Sequence, residues 1–178
     1  MASTAPVAVV IMAAGKGTRM RSAVPKVLHT IGGRSLLDHA VAAARGLRPD
    51  HLVVVVRHER DAVVAHLSEV APDAVAADQD ETPGTGRAVA CGLASLPEDL
   101  AGPVVVTSGD VPLLDTATLR ALLAQHVERG DAVTLLTTVL DDPTGYGRVV
   151  READGTVSAI VEQRDASPER RAITEINA

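Results

Sequence analysis

The sequence predicts a doubly wound, mostly parallel α/β sheet, on three observations. Two continuous apolar runs, Val7–Met12 and Leu52–Val56, have the composition of strands covered on both faces. Helix-spaced segments separate the strand-like runs in the order βαβαβαβα, which places successive strands parallel. With one Tyr and no Phe or Trp, the core has to be aliphatic, which suits strands sandwiched between helices.

Each element has its own signal. Leu36, Leu37, Ala40, Val41 and Ala44 recur at helical spacing behind Ser35, a favoured N-cap residue. A second helix follows Leu52–Val56, with Ala62, Val63, His66 and Leu67 assigned to one face. Ala74–Ala77 is a short third strand, and Asp78–Gly86 a polar loop bearing Pro and Gly. Ala88–Leu96 reads as a helix, Val104–Thr107 as a buried strand, and Thr116–Glu128 as a helix closed by Gly130. Beyond Ala132–Val139 the segments shorten and alternate. Asp154-Gly155 between Tyr146–Arg151 and Thr156–Val161 is a hairpin signal. Ser167-Pro168-Glu169 begins a short helical turn, and Ile173–Asn177 is strand-like. A strand-like end leads us to expect that the natural domain continues past Ala178.

Composition narrows the function. A chain of 178 residues can bury the core of one domain, taken as residues 1–178. Its net charge of −6, without a long basic run, argues against nucleic acid or a membrane surface as partner. Val7–Ala14 is too short to span a bilayer and lacks the flanks of a signal peptide. Cys91 has no partner for an internal disulfide and reads as a small buried helix residue. A cytoplasmic protein is the expectation.

Ligands of doubly wound sheets bind beyond the carboxyl ends of the strands, and the unusual residues fall there. The only two lysines among 17 basic residues, Lys16 and Lys26, flank a glycine-bearing segment after the first strand. Lysine is a compact point charge where arginine is a planar fork. Ala13–Gly17 can offer backbone N–H groups to an anion, with Lys16 and Arg19 adding charge. It is neither a Walker A loop nor a dinucleotide fingerprint, and a plain tight turn explains it as well. Asp110, directly after the fourth strand, is the best metal-ligand candidate, because Mg2+ takes few carboxylates and completes its shell with phosphate and water. A turn or capping aspartate is the alternative.

Several motifs then occur in order. They are Ala13-Ala-Gly-Lys-Gly-Thr-Arg-Met, Pro25-Lys26-Val-Leu, Gly84-Thr85-Gly86, Gly109-Asp110-Val-Pro-Leu, Asp141-Asp-Pro-Thr-Gly-Tyr-Gly-Arg148, Ile160-Val-Glu162 and Glu175-Ile-Asn177. Together they closely resemble the N-terminal uridylyltransferase domain of the bacterial bifunctional UDP-N-acetylglucosamine diphosphorylase/glucosamine-1-phosphate N-acetyltransferase. The resemblance implies a Rossmann-like sheet of the sugar-nucleotidyltransferase type. It also implies the reaction of UTP with N-acetylglucosamine 1-phosphate to UDP-N-acetylglucosamine and pyrophosphate, assisted by Mg2+, for peptidoglycan synthesis and cell shape. It assigns Met12, Ala13, Ala14, Gly15, Lys26, Gln79, Gly84 and Thr85 to the nucleotide, with Gln79 and the Gly84-Thr85 turn at the uracil. Arg19 and Lys26 become phosphate-binding cations and Asp110 the Mg2+ ligand, and these three form the catalytic set. Ser108 and Gly109 line the same strand end on the sugar-phosphate side, and Gly147, Glu162 and Asn177 hold the N-acetylglucosamine moiety.

The chain departs from the family pattern at Met12, at Thr82-Pro83 and at Arg87, and the last two bear on the shape of the uracil loop. The family's second metal ligand and its C-terminal left-handed β-helix, through which it trimerises, have no counterpart in these residues. A monomeric, truncated uridylyltransferase domain is therefore expected. Two alternatives stay open: a related nucleotidyltransferase charging another sugar phosphate, and a fragment that binds nucleotide without turnover.

Overall fold

The computed structural model describes residues 5–17 and 20–177. The chain divides into two compact units, 1–130 and 131–178. In chain order the first unit runs β1 (Ala8–Met12), the hairpin β2 (Thr30–Ile31) and β3 (Arg34–Ser35), α1 (Leu36–Arg45), β4 (His51–Val56), α2 (Arg60–Val70), β5 (Val75–Asp78), α3 (Thr85–Ala94), β6 (Val104–Ser108) and α4 (Thr116–Arg129).

Four of these strands form one parallel sheet in the order β5-β4-β1-β6. The chain winds outward from β1 to β5, then crosses back to place β6 on the other side of β1. That reversal creates a switch point between β1 and β6, where a crevice opens at the carboxyl ends.

Alternation along β1 and β4 distributes the core over both faces. Val9, Ile11, Leu52, Val54 and Val56 pack under helices α1, α2 and α4, through residues such as Leu37, Val63, Leu67, Leu119 and Leu123. Val10, Val53 and Val55 face the other way, toward Ala88 of α3. Burying each such valine, isoleucine or leucine contributes about 1.5–3 kcal/mol. Gly92 lets α3 lie close, because a Cβ there would come within 2.7 Å of Val10 Cγ1.

The expected caps form. The Ser35 hydroxyl accepts from the Asp38 N–H, and the Ser35 N–H donates to the Asp38 carboxylate, a reciprocal box at the start of α1. Gly130 closes α4 in the left-handed region. Five details differ from expectation. The β2–β3 hairpin was not expected, and β6, expected to be buried, is only partly so, with Val106 exposed. Helix α3 begins at Thr85 rather than Ala88, because Gly84, with φ 116°, opens it earlier. Ala62 lies on the exposed side of α2, where Val63 and Leu67 carry the packing. Cys91 is half-buried, since Ala88 and Gly92 form the stripe of α3 that meets the sheet.

The second unit comprises β7 (Thr137–Val139), β8 (Arg148–Arg151), β9 (Val157–Val161), the short α5 (Pro168–Arg171) and β10 (Glu175–Asn177). Its sheet is antiparallel, in the order β7-β10-β8-β9. The β8–β9 hairpin turns at Gly155, whose φ of 86° suits glycine. Ser167 caps α5 through the Arg170 N–H.

Candidate functional site

The parallel register of β1 and β6 builds the site. Met12 and Ser108 are partners in that register, so both chains leave the sheet at one level. The Gly109 N–H donates to the Met12 carbonyl at 2.9 Å. A Cβ at Gly109 would sit 3.3 Å from that oxygen and 3.4 Å from Val27, so glycine permits the close passage. Gly17 plays a similar part, because its φ is +63° and a Cβ there would lie 2.6 Å from the Cβ of Lys26.

Lys26 sits in a short 3-10 turn, Lys26–Leu28, that Val27 anchors in the core. From there its ammonium donates to Oδ2 of Asp110, while the Ser108 hydroxyl donates to Oδ1 at 2.5 Å. Partial burial works against ionisation of the Asp110 carboxyl. The bonds from Lys26 and Ser108 outweigh it, and the carboxyl is held below the usual range.

Beyond the strand ends lies a cleft of about 330 Å³, of a size that accommodates small ligands. Its lining includes Met12, Ala13, Ala14, Gly15, Lys16, Lys26, Gln79, Gly84, Thr85, Ser108 and Asp110. Of the first-unit residues singled out in the sequence, Gly109 is buried beneath the cleft and not in its wall. Arg19 lies outside the described residues. The sequence reading passed over Arg57 and His58, which also line the cleft. They directly follow β4, so the strand-end rule could have found them; a glycine-free Arg-His-Glu stretch did not draw notice.

The loop after β5 folds on itself. Gln79 spends its amide N–H groups on the carbonyls of Thr82 (2.9 Å) and Gly84 (3.2 Å). Asp80 accepts from the Thr82 N–H and from the guanidinium of Arg87. The Arg87 bond is the main reason the Asp80 carboxyl is held down to about 2.

In the second unit the three remaining residues come together. A Cβ on Gly147 would lie 2.9 Å from Asn177 Oδ1 and 3.7 Å from Glu162 Oε1, so the three lie against one another in one cluster. Arg148, only 2% exposed, braces it from within. Its guanidinium donates to the carbonyls of Tyr146 and Arg171 and to Gln163 Oε1, and Gln163 in turn accepts from the Gly145 N–H. A buried cation held by neutral acceptors is costly to disturb, because its removal strands all of them.

Among the described residues no cluster of three or more His, Cys, Asp or Glu gathers to hold a metal. A single carboxylate with a hydroxyl beside it does not suit zinc, but it fits Mg2+, which draws most of its shell from phosphate and water. No described helix is long and apolar enough to cross a membrane.

A glycine turn, two lysines and a strand-end aspartate around one cleft define an α/β protein with anion-binding groups at the carboxyl edge of its sheet. The chain belongs to the family of MobA-like NTP transferase domains, whose model matches residues 9–170. Bifunctional protein GlmU of Kineococcus radiotolerans is 57% identical over 173 residues, covering 97% of this chain and 35% of that protein. GlmU of Micrococcus luteus is 59% identical over 169 residues, 92% of this chain and 34% of that protein. The chain thus spans about a third of the length of these relatives. Among solved structures, a UDP-glucose pyrophosphorylase complexed with UDP-glucose matches with a TM-score of 0.70 at 15% identity, covering 96% of this chain and 73% of that one. A nucleotidyl transferase from Methanothermobacter thermautotroptrophicus matches at 0.60 and 23% identity, covering 87% and 69%. These likenesses establish the sugar-nucleotidyltransferase fold.

Proposed function

We propose that this chain is the uridylyltransferase part of a longer bifunctional protein, residues 1–178 forming most of that part. It transfers a uridylyl group from UTP to N-acetylglucosamine 1-phosphate, releasing pyrophosphate and UDP-N-acetylglucosamine for peptidoglycan synthesis in the cytoplasm. The carrying observation is that loops after β1, β5 and β6 open on one cleft, with Lys16, Lys26 and Asp110 in its wall. The 57% identity to a GlmU supports the particular reaction.

The chain's own residues supply alignment and charge. Backbone N–H groups of 13–17 and the ammonium groups of Lys16 and Lys26 bind the triphosphate, and Arg19 is assigned the same task. Gln79, Gly84 and Thr85 receive the base. Gly147, Glu162 and Asn177 are assigned to the sugar. A phosphate oxygen of the sugar phosphate attacks the α-phosphorus. The bond from that phosphorus to the bridging oxygen breaks, and pyrophosphate leaves with the electron pair while Lys26 balances its charge. Asp110 would hold Mg2+, which would supply charge neutralisation for the phosphates.

Pyrophosphate release tests the reading. Release is expected with UTP and N-acetylglucosamine 1-phosphate together, and chelation of divalent ions should stop it. Turnover with a different sugar phosphate alone would point to the related-enzyme alternative. Nucleotide binding with no product from any sugar phosphate would mark a binding fragment.

A further inference from the structure

We propose that Arg57 and Arg87 are positioning residues that clamp the 79–84 loop in the shape that reads the nucleobase. The inference rests on the nucleotide reading above and adds two residues to it. Residues 80–87 are all exposed, and Gly84, the N-cap of α3, offers no side-chain cap. The bonds from Gln79 to Thr82 and Gly84, and from Thr82 to Asp80, close the loop on itself, and the Gln79 N–H, donating to the Val56 carbonyl at 2.9 Å, holds only its first residue to β4.

The two arginines do tie it. Arg57 reaches from the end of β4 and donates to the Glu81 carbonyl at 2.9 Å. Arg87, in the first turn of α3, grips Asp80 through Nε at 2.9 Å and also through Nη2. Arg57 itself borders the cleft.

The clamp has a consequence for recognition. With the Gln79 amide nitrogen committed to two loop carbonyls, the polar atom left to the base is Oε1, an acceptor. An acceptor suits a base whose ring offers an N–H, as uracil does at N3, and not cytosine, whose N3 is itself an acceptor. A loosened loop lets the amide turn over and present its donors, so the preference should weaken.

The test measures Kd for UTP and for CTP, with the KM of N-acetylglucosamine 1-phosphate, on the full chain and on five variants. Arg57→Ala and Arg87→Ala should each raise the UTP Kd about threefold, and the double variant roughly tenfold. CTP binding should hold or improve, so the UTP:CTP ratio falls while the sugar-phosphate KM stays put. Arg87→Lys should recover part of the ratio by keeping the charge. Arg60→Ala is the control, because Arg60 pairs with Asp78, outside the loop, and should change nothing.

A double variant with the parent's UTP:CTP ratio would overturn the clamp, as would an Arg60→Ala variant that reproduces the loss. A parent chain that binds neither nucleotide would remove the nucleotide reading and the clamp together. Tight parental binding with indifferent variants removes the clamp alone.

Discussion

The ammonium of Lys26 is bonded to the carboxylate of Asp110, 84 positions away in the chain. One belongs to the loop after β1 and the other to the turn after β6, and the register between those strands brings them together. The pair sits in the wall of the cleft and leaves both groups accessible to ligand, with side-chain exposures of 37% and 23%. On the proposed reading, this lysine and aspartate exchange partners when a phosphate and a cation arrive.

Lys26→Ala should therefore lower kcat/KM for pyrophosphate release by about 10²–10³, the usual cost of losing one transition-state donor. Lys26→Arg should stay well below the parent, since a planar fork does not replace a point charge beside Gly17. A Lys26→Ala chain that turns over at near the parental rate would take this residue out of the mechanism.

Gly147→Ala tests the cluster that Gly147 forms with Glu162 and Asn177. The added methyl would sit 2.9 Å from Asn177 Oδ1 and 3.1 Å from Ile160 Cγ2, which forces a shift of about an overpacked methylene's cost, ~1–3 kcal/mol. The KM for the sugar phosphate should rise about tenfold or more, and the Kd for UTP should not. Equal loss of both would show that the residue does not act on the sugar.

Ser35→Ala probes the box that starts α1. Its hydroxyl accepts from the Asp38 N–H at 3.0 Å and contacts His66 Nε2 at 3.0 Å from α2. The loss should be ~1–2 kcal/mol, seen as a lower denaturant midpoint with unchanged slope. Ser35→Asp should recover part of it, and no change on Ser35→Ala would mean that the cap carries no net stability.

Glu175 gives the second unit an acid limit. Arg151 binds both of its oxygens, at 2.6 and 2.8 Å, and Thr137 adds a further bond, so its carboxyl falls from 4.5 to about 2. The folded state thus binds fewer protons than the unfolded one between those values. The contribution is complete above about pH 4.5 and drains away as the pH falls toward 2. Glu175→Gln should remove that part of the acid dependence. A carbon-13 titration of the Glu175 carboxyl with a midpoint near 4.5 would contradict the pairing.

Much of this protein can be read from particular residues. Val7–Met12 and Leu52–Val56 announce buried parallel strands because no polar residue interrupts them, and the helix starting at Leu36 follows from Ser35 and the spacing behind it. The strand-end rule found Gly15, Gln79 and Asp110, and all three line the cleft. It did not find Arg57 and His58, since arginine and histidine carry no local signature of a turn. Nor could it foresee that Gln79 would use its amide nitrogen on its own loop. Side-chain bonding of that kind depends on neighbours that the sequence lists without placing.

The amino-acid order alone determined the principal strands and helices and their caps, because hydrophobic period and φ preference are properties of a few neighbouring residues. Tertiary structure decided which of the turns share a cleft, that Lys26 meets Asp110, and that Gly147, Glu162 and Asn177 lie together. Those outcomes rest on strand pairing over long separations, where register is set by burial on both faces of a sheet and not by any local preference.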